Sequence, residues 1–126
     1  MSERSKLVNK LDVVFSKYIR QRNCIDGYGT CFTCGISKHW KEVDAGHFQS
    51  RMKMSTRWEE RNVQFQCKRC NMTNGGQQYI FGKRLDEVYG EGTANDLYLL
   101  SNRITKFSIL DLKELIDFYN KKIDEL

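Results

Sequence analysis

Two Cys-x-x-Cys pairs, Cys31 with Cys34 and Cys67 with Cys70, stand in this 126-residue chain with 32 residues between them. No other feature limits the fold so severely. Each pair can wrap its backbone around one ion, and four thiolates complete the tetrahedral shell that structural zinc prefers. In "CFTCG", Gly35 follows the second cysteine, where a residue without a Cβ lets the backbone turn freely. The segment between the pairs has few large apolar residues, so a metal is expected to replace much of a core there. Zinc sites of this kind bind with about 10–16 kcal/mol, comparable to the stability of a whole domain. A closed four-sulfur shell has no open coordination position, so the expected role is architectural. Cys24 is the odd cysteine and reads as a small apolar residue or an exposed thiol.

A chain of this length is the size of one domain, here divided into an N-terminal helix (1–30), a zinc-stapled core (31–76) and a helical tail (77–126). A hydrophobic content of 40% with 12% aromatics is that of a globular protein. No apolar run reaches the roughly 18 residues of a membrane span, and "MSERSKLVNK" lacks the apolar centre of a signal peptide. The expected location is therefore the cytoplasm, where paired cysteines favour metal over disulfide. Charge is uneven: residues 31–84 carry ten basic against four acidic side chains, residues 85–126 five against nine. A basic centre beside an acidic end suggests a nucleic acid met by the cysteine-bearing segment; a solvated, lysine-rich face is the plainer alternative.

Proline is absent, so helix limits rest on periodicity and glycine. Leu7, Val8, Leu11, Val14, Phe15, Tyr18 and Ile19 form one stripe and predict a helix over 5–22. Glycines at "DGYGT", 26–30, mark a turn into Cys31. Short strands are expected at 41–49 and 62–66, joined by the basic loop "SRMKMSTRWEER". Helices follow at 77–89, 93–103 and 109–125, the last with Ser108 as N-cap. The terminal helices must bury their stripes on each other or on a partner chain.

Between and just after the cysteine pairs lie His47 in "EVDAGHFQSR", Asn62 in "RWEERNVQFQC" and Asn71 directly behind Cys70. This order of C-x-x-C, His, Asn and C-x-x-C-Asn resembles the HNH, or His-Me finger, nuclease motif in its H-N-N form. "CFTCG", "DAGHF", "RWEERNVQFQCKRCN" and the following glycines and tyrosine resemble the phage NinG (Rap) recombination endonucleases. The likeness extends to "FSKYIRQR" and to a helical C-terminal tail. It implies a small α+β fold, a zinc-stapled ββα core of treble-clef type with an N-terminal helix and C-terminal helices, predominantly helical overall. It also implies an endonuclease acting in phage recombination on branched DNA such as Holliday junctions and D-loops. Further partners consistent with it are a second copy of the chain and phage recombination proteins, and the compartment is the cytoplasm of a bacterial host.

Phosphodiester hydrolysis needs a base for water and a cation for the charge on phosphate and leaving oxygen. His47 suits the first, since imidazole titrates near neutral pH. The resemblance gives Asn62 the task of holding the histidine tautomer, through side chain or backbone. Asn71 offers an oxygen ligand suited to Mg²⁺ or Mn²⁺ at the start of a short helix, a position that also suits helix capping. HNH motifs often carry a metal-binding aspartate just before the base, and Gly46 stands there instead. Asp44, two residues earlier, is the expected second ligand if a bulge at Gly46 closes the gap of about 6.8 Å along a strand. With so few carboxylates, one catalytic ion beside the structural zinc is the economical expectation. Phosphate contacts are expected from Arg51, Lys53, Arg57, Arg61, Lys68 and Arg69. Trp58 suits either a base-stacking wedge or the small core, and His39 a structural place. The rival classes are a zinc module that binds nucleic acid without cleaving it and a zinc module for protein contacts.

Overall fold

A computed structural model describes all of residues 1–126. Helix α1, Glu3–Gln21, starts where the Ser2 hydroxyl accepts from the Ser5 N–H, and its stripe buries Leu11, Phe15 and Ile19. Helix α5, Ile109–Asp124, opens on a reciprocal capping box between Ser108 and Asp111 and buries Leu112, Ile116 and Tyr119. These two sets interlock, with Trp58 and Val63 closing the cluster and the Phe15 and Tyr119 rings meeting edge to face at 4.9 Å. The terminal helices therefore satisfy each other within one chain, and these stripes are not left for a second copy.

The segment between them forms two small antiparallel pairs. Strands β1 (Tyr28–Thr30) and β2 (Ser37–His39) flank the first cysteine pair, while β3 (Val43–His47) pairs with β4 (Val63–Cys67). A short helix, α2 (Met54–Arg57), lies in the loop between β3 and β4, and a π-turn, Arg69–Thr73, follows β4. Helices α3 (Gln78–Tyr89) and α4 (Thr93–Ser101) enclose a second core of Phe81, Leu85 and Leu97, against which Phe32 and Phe48 pack. The expected helices thus form within one or two residues of their sequence limits.

Three details differ from expectation. The strand expected at 41–49 shortens to five residues because Trp40–Glu42 take a 3-10 turn. The β1–β2 pair is not among the expected strands, since 26–30 reads as a turn; with three residues per strand and no alternation of apolar side chains, the pair has no strand signature in the sequence. The third concerns Gly46. Pairing runs one to one from Val43 opposite Cys67 to His47 opposite Val63, so β3 has no bulge. Glycine is required there for another reason, since an added Cβ would stand 2.1 Å from Oε1 of Gln66. The Gln66 side chain is locked by Nε2, which donates to Thr33 Oγ1 at 3.1 Å and to the Gly76 carbonyl at 2.8 Å.

The helix pair is a large part of the apolar core, so truncating it must be felt throughout. Leu112→Ala is expected to cost about 2–5 kcal/mol, read as a lower urea midpoint with an unchanged m-value.

Candidate functional site

The first feature of the site is sulfur. The Sγ atoms of Cys31, Cys34, Cys67 and Cys70 all lie within 4.8 Å of one another. Zinc–sulfur bonds near 2.3 Å in a tetrahedron place sulfurs about 3.8 Å apart, and Cys34 and Cys67 stand at 3.7 Å. The four thiols therefore fit a single structural metal such as zinc. Local backbone explains the fit: Gly35, at φ +81°, turns the knuckle, and its N–H returns to the Cys31 carbonyl at 3.0 Å. The Phe32 N–H bonds the Phe65 carbonyl at 2.8 Å, and the Cys67 N–H donates to Cys31 Sγ at 3.3 Å, tying the first knuckle to β4. Burial acts to raise the Cys31 thiol, yet hydrogen bonds from the Cys67, Cys34 and Thr33 N–H groups and the Thr33 hydroxyl bring it down to about 6. Burial pushes the Cys70 thiol up to about 12. Metal uptake near neutral pH must then displace a proton from Cys70.

Beside the cluster, His47 ends β3 and faces a cavity of about 300 Å³ together with Asn71 and, from α1, Asp12 and Ser16. Its Nε2 lies 3.1 Å from the Arg57 carbonyl. A carbonyl only accepts, so Nε2 carries the hydrogen and the lone pair of the neutral ring sits on Nδ1. Burial is the main reason that His47 titrates below the ordinary value of 6.5. Arg51 and the Arg57 guanidinium lower it further, while the Arg57 carbonyl and Asp12 oppose them.

Asn62 is fully buried and does not reach this ring. Its Oδ1 accepts from the Gln49 N–H at 2.8 Å, and its Nδ2 donates to the Gln49 and Thr56 carbonyls, each at 3.1 Å. Its own carbonyl takes the Phe48 N–H at 2.8 Å. Asn62 thus braces both ends of the loop between His47 and Arg57, and the ring itself is held by Arg57.

Asn71 lies within the π-turn and caps no helix. Its Nδ2 donates to Asp44 Oδ2 at 3.0 Å, which leaves Oδ1 free. Asp44 also receives Lys68 Nζ at 2.8 Å. Burial alone would raise its carboxyl, but hydrogen bonds from Lys68 and Asn71 and the charges of Lys68 and Arg20 hold it below the usual carboxylate range. Asp44 lines a second, adjoining groove of about 530 Å³, which shares Ser16, Ala45, Arg51 and Asn71 with the first.

The basic residues singled out in the sequence divide into two groups. Arg51, Lys53, Lys68 and Arg69 are exposed. Arg57 is instead paired with Asp12 and Arg61 with Glu59, both inside the chain. Trp58 is buried in the core and donates from Nε1 to Asp12. His39 packs on Tyr28 and Trp40 and accepts the Lys41 N–H, a structural place. Sequence reading missed Arg20 and Lys41, which line the groove, and Asp12. Asp12 does leave a trace, as the one acid of α1 beyond its first turn, set between the buried Leu11 and Phe15. Cys24 donates to the Arg20 carbonyl at 3.1 Å, outside the cluster.

Four thiols gathered by two strand pairs, with a histidine-bearing polar cavity alongside, define a small α+β protein built around a four-cysteine cluster of the size that fits a metal ion. The family model described as Bacteriophage Lambda NinG protein matches residues 1–126, and the chain belongs to that family. No curated protein and no solved structure gives a significant match. No helix is long and apolar enough to cross a membrane.

Two outcomes follow for the cluster and its neighbour. Chelation of bound zinc is expected to abolish cooperative melting and much of the far-UV circular dichroism; a metal-free protein with native spectrum and midpoint would contradict the architectural role. Gly46→Ala, meeting a locked Gln66, is expected to cost about 1–3 kcal/mol by thermal unfolding. Combining it with Gln66→Ala should recover part of that loss.

Proposed function

We propose that this chain is a metal-dependent DNA endonuclease of the HNH, His-Me finger type that serves phage recombination and acts on branched DNA. The observation that carries the reading is one cavity lined by both His47, whose Nε2 is engaged by the Arg57 carbonyl, and Asn71, whose Nδ2 is engaged by Asp44, with Arg51 at its edge and further basic side chains in the adjoining groove. The family and the four-thiol cluster, read as a structural zinc, agree with it. Branched substrates rest on the resemblance in sequence.

Each residue has a distinct task. His47, neutral above its lowered titration point, accepts a proton from water at Nδ1. The Arg57 carbonyl keeps the ring hydrogen on Nε2, and Asn62 keeps the intervening loop in place. Asn71 Oδ1, with Asp44 beside it, offers oxygen ligands of the kind hard divalent ions take. Mg²⁺ or Mn²⁺ bound there would offset charge on the scissile phosphate and the leaving oxygen. Arg20, Lys41, Arg51 and Lys68 line the groove next to the cavity, where they suit backbone phosphates, contacts that position DNA without reading its sequence. Arg20 is held ready for this by the Ser16 carbonyl and by the Trp40 ring, whose centroid lies 5.2 Å from its guanidinium carbon. Lys53 and Arg69 extend the basic margin.

The deciding experiment incubates zinc-loaded protein with a four-way junction and with linear duplex, with and without Mg²⁺ or Mn²⁺. Metal-dependent cleavage that favours the junction is expected. His47→Ala should lower the rate by about 10²–10⁴-fold and leave DNA binding intact; binding without cleavage by the unmodified protein would favour a noncatalytic zinc module. Because burial lowers the titration point of His47, its base form persists as pH falls to 6.5, and the acid limb of the cleavage profile should lie below that value. A limb centred above it would point to a different base.

A further inference from the structure

Asp12 lies on α1, far in sequence from His47, yet both line the same cavity. Its Oδ1 accepts from Arg57 Nε and from Trp58 Nε1, each at 3.0 Å, and its Oδ2 accepts from Arg57 Nη2. The two side chains of the ion pair are only 16% and 17% exposed, so solvent competes weakly for them. One carboxylate therefore grips the residues on both sides of the Arg57–Trp58 peptide. The carbonyl of that peptide is the group that receives His47 Nε2–H.

Alternative restraints on that carbonyl are few. Asn62 holds the Thr56 carbonyl, one residue earlier, and Arg57 Nη1 donates to the Arg51 carbonyl at 3.0 Å. The Trp58 N–H of the same peptide turns back to that Thr56 carbonyl, which leaves the two flanking side chains to set its orientation. The Trp58 side chain is held by the apolar core and by Asp12 alone among its hydrogen-bond partners. The two tautomers of a neutral imidazole lie close in energy, so the ring takes the form selected by its fixed partner.

We propose that Asp12 is a positioning residue for His47: by clamping Arg57 and Trp58 it orients the Arg57 carbonyl, which holds the ring as the Nε2–H tautomer with Nδ1 facing the cavity. The effect on cleavage rests on the nuclease reading given above; the effect on the ring does not. The carboxylate acts through the peptide and touches no reacting atom. This assigns α1 a part in the site that the ββα unit of His47, Asn62 and Asn71 does not itself supply.

The test uses full-length, zinc-loaded protein labelled with ¹⁵N at histidine, of which the chain has two, so that the His47 resonances are separated by one His39 variant. In the unmodified protein His47 is expected as a single Nε2–H tautomer near neutral pH. Asp12→Asn turns one acceptor oxygen into a donor facing the guanidinium. It should give mixed tautomers and lower kcat on the four-way junction by up to about 100-fold, with junction affinity unchanged. Arg57→Ala keeps the backbone carbonyl but removes the tie, and should reproduce both effects. The double variant should be no worse than either single one, as for residues acting in one chain of contacts. If Asp12→Asn does not fold, Arg57→Ala decides. Folded variants that keep the single Nε2–H tautomer and full kcat overturn the proposal, whatever their melting temperatures. If the tautomer responds but the unmodified protein cleaves no DNA, the nuclease reading falls and the positioning role stands.

Discussion

Between residues 31 and 76 the interior of this protein holds sulfur and amide groups more than hydrocarbon. Thr56, Asn62, Gln64 and Gln66 are all buried there, while the apolar clusters lie to either side, one between the terminal helices and one beneath α3 and α4. Buried amides lower the free energy only when every partner is in place, so a polar network gives little drive toward collapse from a disordered start. A metal held by the four cysteines would supply that drive. They fix the β1–β2 knuckle against the end of β4, and they sit next to the residues whose placement matters most: Gln66 precedes Cys67, and Asn71 follows Cys70. A side chain adjacent to a clamped sulfur has little freedom of direction. In this way one cluster sets both the packing over β3 and the donor group at the mouth of the cavity.

The readable part of the fold was the part governed by local rules. Helical stripes placed α1 and α5 because apolar side chains at three- and four-residue steps have one way to be buried, and the Ser108 cap was visible because its geometry is confined to one turn. The cysteine cluster was legible from spacing alone. What escaped were features made by contacts distant in sequence. Gly46 drew attention as a missing aspartate, but its cause is Gln66, twenty residues on, lying across the strand. Arg57 and Arg61 looked like two members of a basic loop; the acids that claim them, Asp12 and Glu59, change what they can touch. Asp12 itself, 35 residues before His47, carries no motif, and only the crossing of α1 over β3 brings it to the cavity.

The charge pattern had a similar limit. A basic middle is evident, yet the basic side chains that line the groove come from four places, the end of α1, the turn after β2, the loop after β3 and the second knuckle. Net charge over a window counts residues without regard to their partners. Of the four cations that line the groove, Arg20 is half-buried and Lys68 is paired with Asp44, and only Arg51 and Lys68 lie where the sequence draws the eye.

The pairing of α1 with α5 carries a further meaning. One wall of the cavity, Asp12 and Ser16, belongs to a helix that is kept in place by α5. During synthesis the cysteine-bearing core emerges well before Leu112, Ile116 and Tyr119, so a nascent chain can assemble its metal cluster while that wall still lacks its support. Completion of the cavity is thereby deferred until α5 has emerged and packed, an order of maturation in which the scaffold comes first and the finished site last.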